Sequence, residues 1–533
     1  MLHLQNISYY HPNKDLLFEN ISFTVNQFEK IALIGNNGVG KSTLLKIIAD
    51  KLPVSTGQIQ CKSQAYYIPQ VFGQYNHLTV AQAINIEQKL KALKEVLSGN
   101  ITAENYVSLD DDWTIEDRCN QALEYWQLNN LNLYQKMETL SGGQKTKVFL
   151  AGVSIHQPEL VLLDEPSNHL DMAGRQLLYD FIQSAKCSLV VVSHDRKLLQ
   201  LLHSTYELSK NEVAVYGGNY DFYVQQKQIE NNALSQDIQS KEKALRKARE
   251  KERETAERQL RMNARGKKKQ LKAGTPKTMM NKMKNDSENS ASKLKGVHGE
   301  KISGISQELH KLRSLLPDID KMKFGFDASA LYKGKILVKA TNINYSYDSE
   351  LLWAENLDVL IKSGERIVLR GLNGSGKTTL IRLILGTQEP QTGTIYRAEN
   401  QTVYIDQDYS LINNGLTIYE QAQLFNITAL QEHDVKIRLS RFLFSGEDWD
   451  KPCSVLSGGE RMRLMLCCLT IHNQSPDIIV LDEPTNNLDI QNIEILTYAI
   501  NEYKGTLIVV SHDESFLEQI KIERSIQLKS YKE

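Results

Sequence analysis

The sequence has no run of about 18 apolar residues, the length a helix needs to cross a bilayer. Its apolar stretches, such as LVLL at 160–163 and LIVV at 507–510, are strand-length, so no membrane span is expected. The amino terminus, MLHLQNISYY, has no basic segment leading into an apolar one, so no secretory signal is expected. Cysteine is scarce: six in 533 residues, at Cys61, Cys119, Cys187, Cys453, Cys467 and Cys468, with no C-x-x-C and no metal-ligand spacing. They read as buried small hydrophobes, and reduced thiols suit a cytoplasmic location. Acidic residues are missing over one whole segment. From Arg258 to Lys284 there are ten Lys/Arg and no Asp or Glu. Since the chain as a whole carries −1 and this segment +10, the remainder carries −11. Such a segment favours a polyanionic partner, while the acidic remainder repels its own copies.

What the sequence does contain is a pattern written twice. Gly35-Asn36-Asn37-Gly38-Val39-Gly40-Lys41-Ser42, followed by Thr43, and Gly371-Leu372-Asn373-Gly374-Ser375-Gly376-Lys377-Thr378, followed by Thr379, both fit G-x-x-x-x-G-K-[ST]. In that loop, backbone N–H groups cradle phosphates and the lysine reaches the β/γ-phosphates. Two matches more than three hundred residues apart, each followed by the same further motifs in the same order, indicate an internal duplication with two nucleoside triphosphate sites.

Continuous apolar runs recur in both copies: Ile31–Ile34, Leu160–Leu163 and Ser188–Val192 in the first, Ile367–Leu369, Ile478–Leu481 and Thr506–Val510 in the second. Runs that do not alternate with polar residues point to parallel strands covered on both faces. The expected fold class is therefore α/β: two tandem P-loop ATPase domains, at 1–223 and 334–533, with a linker at 224–333. Residues from Val224 to Gln270 carry no strand signal and are rich in good helix formers. Gly274-Thr275-Pro276 is a helix restart with Thr as N-cap, and Pro317 is a stop. Two helical arms, 224–264 and 276–316, would form an antiparallel hairpin with arms of about 60 Å at 1.5 Å per residue. Gly296, Gly299 and Gly304 are candidate interruptions of the second arm.

After each P-loop the motifs run in parallel. The first copy has Tyr67-Ile-Pro-Gln70, Leu140-Ser141-Gly142-Gly143-Gln144, Leu163-Asp164-Glu165-Pro166, Leu170-Asp171 and Ser193-His194-Asp195. The second has Tyr404-Ile-Asp-Gln407, Leu456-Ser457-Gly458-Gly459-Glu460, Leu481-Asp482-Glu483-Pro484, Leu488-Asp489 and Ser511-His512-Asp513. This set resembles the ATP-binding cassette (ABC) proteins over both halves, with LSGGQ far more specific than a lone P-loop. The chemistry is that of an ATP hydrolase. Lys41 and Lys377 supply charge to the phosphates, while Ser42 and Thr378 offer hydroxyls to Mg²⁺. Asp164 and Asp482 hold the metal shell, with Gln70 and Gln407 beside it. Glu165 and Glu483 polarise an attacking water, and His194 and His512 orient it. The resemblance implies head-to-tail cassettes within one monomer, the first P-loop facing Ser457-Gly458-Gly459 and the second facing Ser141-Gly142-Gly143. It also implies an aromatic under each adenine, expected at Tyr347 in the second copy and at Tyr10 in the first, where His11 and a one-residue insertion leave the register open.

Two cassettes, DEPSNHLD at 164–171, DEPTNNLD at 482–489, Tyr216-Gly-Gly-Asn-Tyr220 and the basic hairpin are together similar to the ABC-F family of ribosome-associated ATPases. That resemblance implies a hairpin entering the ribosome near the tRNA exit site and pointing at rRNA and P-site tRNA. Its RNA contacts would come from Arg258, Arg261, Arg265, Lys267, Lys268, Lys269 and Lys272, which suit exchange with phosphate counterions. The stretch between Gln70 and Ser141 exceeds its counterpart by 21 residues, 70 against 49, enough for a small arm insertion. The sequence continues only 21 residues past His512, to Glu533, so no basic extension is expected. A small arm, no tail and a long hairpin resemble the members that protect ribosomes from antibiotics, although housekeeping members share these traits. A transporter ATPase subunit would account for the nucleotide sites but not for the basic hairpin. A DNA-repair scaffold would need heptad repeats, whereas 241–270 offers Leu245, Leu260 and Met262 as its sizeable apolar residues. The missing cysteine cluster argues against the iron–sulfur recycling ABC proteins.

Overall fold

The computed structural model describes residues 1–12, 14–272, 296, 298–313, 332–347, 350–372, 374–427, 429–471, 475–486 and 488–529. The first cassette is built on a six-stranded sheet in the order Tyr66–Ile68, Leu160–Asp164, Ser188–Val192, Lys30–Ile34, Ser204–Leu208, Val213–Tyr216, parallel except for the last strand. A smaller antiparallel sheet of Leu16–Val25, Leu2–Tyr10 and Thr56–Cys61 lies alongside it in the chain order. The second cassette repeats the scheme. Its five parallel strands run Thr402–Ile405, Ile478–Asp482, Thr506–Val510, Arg366–Arg370, Arg524–Gln527, and its antiparallel sheet is Leu357–Lys362, Ile336–Asn344, Thr392–Arg397.

The continuous apolar runs behave as the two-faced burial argument requires. Every residue of Leu160–Asp164 and of Ser188–Val192 is buried. Val161 and Leu163 join one core with Trp126, Phe149 and Leu178, whereas Leu160 and Leu162 join another with Phe18, Leu44 and Tyr206. Side chains alternate between faces along a strand, so a run that is apolar at every position serves two cores at once. The 21 extra residues of the first copy do not make a free insertion. They lie among the helices Glu87–Leu97, Ala103–Leu109 and Ile115–Tyr125, whose Leu90, Leu93, Leu109 and Ile115 are part of the first cassette's core.

The chain divides into two compact units: Met1–Tyr223 with Met322–Glu533, which holds both cassettes, and Val224–Lys321. One helix runs from Tyr220 to Lys272, about 80 Å at 1.5 Å per residue, eight residues beyond the stop expected at 264. No glycine or proline precedes Gly266 in that run to end it, and the charged residues there are good helix formers. Residues 298–313 are also helical, so Gly299 and Gly304 do not interrupt the second arm. In the second unit Lys241 pairs with Glu308, Arg313 Nη2 donates to Glu242 Oε1 at 2.6 Å, and Ile238 and Leu309 are buried. Arg258, Arg261 and Arg265 are exposed. Lys267, Lys268, Lys269 and Lys272 lie in the helix, but their side chains, and residues 273–295 with the expected restart at Thr275, are outside the described residues.

Candidate active sites

Both P-loops end a buried parallel strand and start a helix, Lys41–Ile48 in one copy and Lys377–Leu385 in the other. The caps of those helices, Gly40 and Gly376, have φ of 103° and 87°, and neither N-terminus has a side-chain cap. A Cβ at Gly40 would come within 2.8 Å of the Phe18 ring and of Leu17, and at Gly376 within 2.6 Å of Leu352. Gly38 and Gly374, by contrast, have nothing within 4 Å of a Cβ position. The result is a turn of open backbone N–H groups at an uncapped helix N-terminus, which suits a polyphosphate.

The first cavity, about 340 Å³, is lined by His11, Leu17, Asn37, Gly38, Gly40, Lys41, Ser42, Thr43, Gln70, Glu165 and His194. The second, about 550 Å³, is lined by Tyr347, Gly374, Gly376, Lys377, Thr378, Thr379, Gln407, Asp482 and Glu483. Asn373 is outside the described residues. Gly35 and Gly371 have their carbonyls bonded to the P-loop lysines, Lys41 Nζ at 2.6 Å and Lys377 Nζ at 2.8 Å, and Asn36 O also accepts from Lys41. Burial lowers both lysine pKa values, and Glu165 and Asp164, or Glu483 and Asp482, oppose that shift.

Asp164 is gripped on both oxygens. Ser42 Oγ donates to Oδ1 at 3.0 Å and the Tyr67 phenol donates to Oδ2 at 3.0 Å. In the second copy the Tyr404 phenol donates to Asp482 Oδ2 at 2.9 Å. Burial pushes both aspartates upward, and these donors oppose it. A single carboxylate with a hydroxyl and an amide oxygen (Ser42, Asp164 and Gln70, or Thr378, Asp482 and Gln407) is a hard-donor set. It fits Mg²⁺, which keeps several waters and shares phosphate oxygens.

Glu165 and Glu483 take left-handed backbone conformations, φ 50° and 49°. Each is fixed by its own N–H, donating at 2.8 Å to Val192 O and Val510 O. His194 Nε2 lies 3.2 Å from Glu165 Oε1 and His512 Nε2 lies 3.4 Å from Glu483 Oε1. Among the described residues, none is a hydrogen-bond partner of the buried His194 Nδ1. Burial drives both imidazoles to the neutral form, down to about 3 for His194 and about 4 for His512. Burial also raises both glutamates, Glu483 to about 7 against the opposing charges of Arg175 and Lys377. A carboxyl near neutrality beside a neutral imidazole can accept a proton from water.

Two site expectations meet a different geometry. Tyr10 is 43% exposed and is absent from the first cavity's wall, where His11 and Leu17 stand. The pairing of Leu2–Tyr10 with Leu16–Val25 shifts register between Ile7 and Tyr9 and again between Tyr9 and Tyr10, and such a bulge re-aims side chains. Tyr347 does line the second cavity, with its phenol oxygen 3.2 Å from Thr379 Oγ1. Among the described residues, the aspartates that close the DEP motifs lie at the other cassette's P-loop. Asn37 N donates to Asp489 Oδ2 at 2.9 Å, and Asp171 shares a wall with Gly371, Leu372 and Lys377. Ser141 caps the helix Gly142–His156 from an exposed position, and Ser457 is likewise exposed before Gly458–Ile471. Gly143 is pressed against the His169 carbonyl and Gly459 against Asn492. Among the described residues, none of Ser141–Gly143 or Ser457–Gly459 lines either P-loop cavity.

The model of the ABC transporter family matches residues 18–168 and 354–486, together more than half of the chain. The chain belongs to the ABC family. This ABC protein is 29% identical over 534 residues to the ATP-binding protein Uup of Buchnera aphidicola, covering 97% of the chain and 78% of the relative. It is 27% identical to ABC transporter F family member 5 of Arabidopsis thaliana, over 95% of the chain and 72% of that protein. Among solved structures, the archaeal ribosome recycling factor aABCE1, crystallised with ribosomal stalk protein aP1, superposes with a TM-score of 0.60 at 19% identity, covering 98% of this chain and 87% of that one. That likeness shows the fold. The protein is a tandem ABC ATP hydrolase of the ABC-F type. Among the described residues, no helix is long and apolar enough to cross a membrane.

Proposed function

We propose that this ABC-F ATPase acts in the cytoplasm on the ribosome, its hairpin reaching rRNA and P-site tRNA while ATP binding and hydrolysis at two sites set its residence there. The observation that carries this reading is a helix of 53 residues whose distal part is basic, with Arg258, Arg261 and Arg265 exposed on it. An extended cationic helix suits RNA phosphates, each contact releasing counterions.

In each cassette the P-loop N–H groups and Lys41 or Lys377 bind the phosphates. Ser42, Asp164 and Gln70, and Thr378, Asp482 and Gln407, would hold Mg²⁺, which when bound neutralises charge on the β- and γ-phosphate oxygens. Glu165 and Glu483 take the proton of the attacking water, and His194 and His512 orient it. Serines Ser141 and Ser457 complete each site when the cassettes close further.

Changing Glu165 and Glu483 together to Gln should preserve ATP binding and lower turnover at least about 100-fold, and should trap the protein on ribosomes. Neutralising Arg265, Lys267, Lys268 and Lys269 should reduce the salt slope of ribosome binding by up to about 3–4, at roughly 0.7–0.9 per phosphate contact. An unchanged affinity and slope would remove the hairpin from RNA contact. Within the ribosome reading, protection against antibiotics is distinguished by expression in a sensitive host: drug-specific resistance supports it, and none leaves translation control.

A further inference from the structure

The seam between the cassettes is not symmetric. Arg175, at the start of the helix Met172–Ser184, donates through Nε to the Leu170 carbonyl of its own cassette at 3.2 Å and through Nη1 to the His512 carbonyl of the other at 3.3 Å. Its Nη1 also lies 3.9 Å from Asp195 Oδ2, and its side chain is only 12% exposed. The matching position in the second cassette, five residues after Leu488 as Arg175 is after Leu170, is Ile493, a buried hydrophobe. Arg196 is a second guanidinium from the same side, 3.2 Å from Glu494 of the second cassette. The residue matching Arg196 is Glu514, an acid, which is held by Arg370 of its own cassette at 2.6 and 2.9 Å. Both cations that bridge this part of the seam therefore come from the first cassette.

We propose that Arg175 is a positioning residue of the second nucleotide site, acting on it from the first cassette. By holding the His512 backbone it fixes the imidazole against Glu483, so that hydrolysis at the second site depends on contact between the cassettes. Among the described residues, no cation from the second cassette holds the His194 backbone in this way, and a cross-seam contact of the first site is Asp489 on the P-loop N–H of Asn37. The two sites are thus inequivalent although their motifs match. This inference rests on the assignment of Glu483 and His512 to hydrolysis.

The test uses the full chain in two backgrounds, Glu165→Gln to leave the second site and Glu483→Gln to leave the first. Arg175→Ala should lower kcat about tenfold in the Glu165→Gln background, within the usual range of coupling between sites. KM for ATP should hold there, because among the described residues the polar contacts of Arg175 are with Leu170, Asp195 and His512 and not with a P-loop. The loss should be much smaller in the Glu483→Gln background. Arg175→Lys keeps the charge but loses the fork of donors, and should show the same selectivity at smaller size in a chain with the parental melting temperature. Equal losses in both backgrounds would make Arg175 a general seam residue and overturn the proposal, as would no loss at the second site. Parental turnover in the Glu165→Gln/Glu483→Gln chain would instead remove the hydrolytic assignment, and this proposal with it.

Discussion

Tyr67 and Tyr404 sit three residues before Gln70 and Gln407, and each phenol donates to the second oxygen of the aspartate that ends the neighbouring strand. Replacing both by Phe removes one hydroxyl per site and leaves the ring and its packing in place. A hydrogen bond to a charged group contributes about 1.5–3 kcal/mol, and here it fixes the carboxylate rather than the fold. Removing a partner that orients a metal ligand typically costs about 10–100-fold in metal affinity. The first site should show the smaller effect, because Ser42 still holds Asp164 Oδ1. The second should show the larger, since no hydrogen bond from Thr378 to Asp482 is present among the described residues. The assay is the Mg²⁺ concentration that half-saturates ATP turnover, measured in the Glu165→Gln and Glu483→Gln backgrounds and paired with Mn²⁺ binding followed by electron paramagnetic resonance. A half-saturation point and Mn²⁺ affinity indistinguishable from the parent's would refute the argument, as would a loss of kcat with no change in either.

Gly40→Ala forces a Cβ into Phe18 and Leu17 at a φ of 103°, so it should abolish nucleotide binding in the first site, measured with a fluorescent ATP analogue, at a stability cost of about 1–3 kcal/mol. Ser141→Arg and Ser457→Arg replace exposed helix caps and should cost only about 1 kcal/mol of stability, while closure-dependent ATP turnover collapses. Early melting together with normal turnover would contradict that. In the Glu165→Gln chain, kcat/KM for ATP should rise with pH through about 7 and level off above it, because burial holds the Glu483 carboxyl there and only its ionised form accepts a proton. A flat profile from pH 6 to 8 would put the limiting proton transfer elsewhere.

Much of this was readable in the chain because phosphate chemistry demands particular residues at fixed spacings. Lys41, Ser42, Glu165 and His194 line one cavity and Lys377, Thr378, Asp482 and Glu483 another, and the non-alternating strands Leu160–Asp164 and Ser188–Val192 are buried on both faces. What escaped the sequence depends on backbone geometry or on long-range contact. The left-handed glutamates could not be inferred from residue type, since that conformation is unfavourable for a non-glycine residue and persists only where neighbouring strands impose it. The Tyr67–Asp164 bond joins residues 97 apart in sequence. His11, not Tyr10, lines the first cavity, beside a register shift in the strand Leu2–Tyr10. The hairpin helix runs past the stop expected at 264, through Gly266 to Lys272, because good helix formers on both sides of that glycine outweigh its cost.

That helix also has a mechanical meaning. Among the described residues, Ile238 and Leu309 are the buried hydrophobic side chains of the second unit, flanked by the ion pairs Lys241–Glu308 and Glu242–Arg313. Two buried aliphatic groups contribute about 1.5–3 kcal/mol each, and ion pairs this exposed add little because solvent screens them. Among the described residues the legs therefore share far less buried apolar surface than the strands of either cassette, as in a spring rather than a strut. Its amides should exchange with deuterium long before those of Leu160–Asp164 or Ile478–Asp482. A surface that clamps both legs must first suppress that motion, giving up affinity for the ability to follow a partner that changes shape.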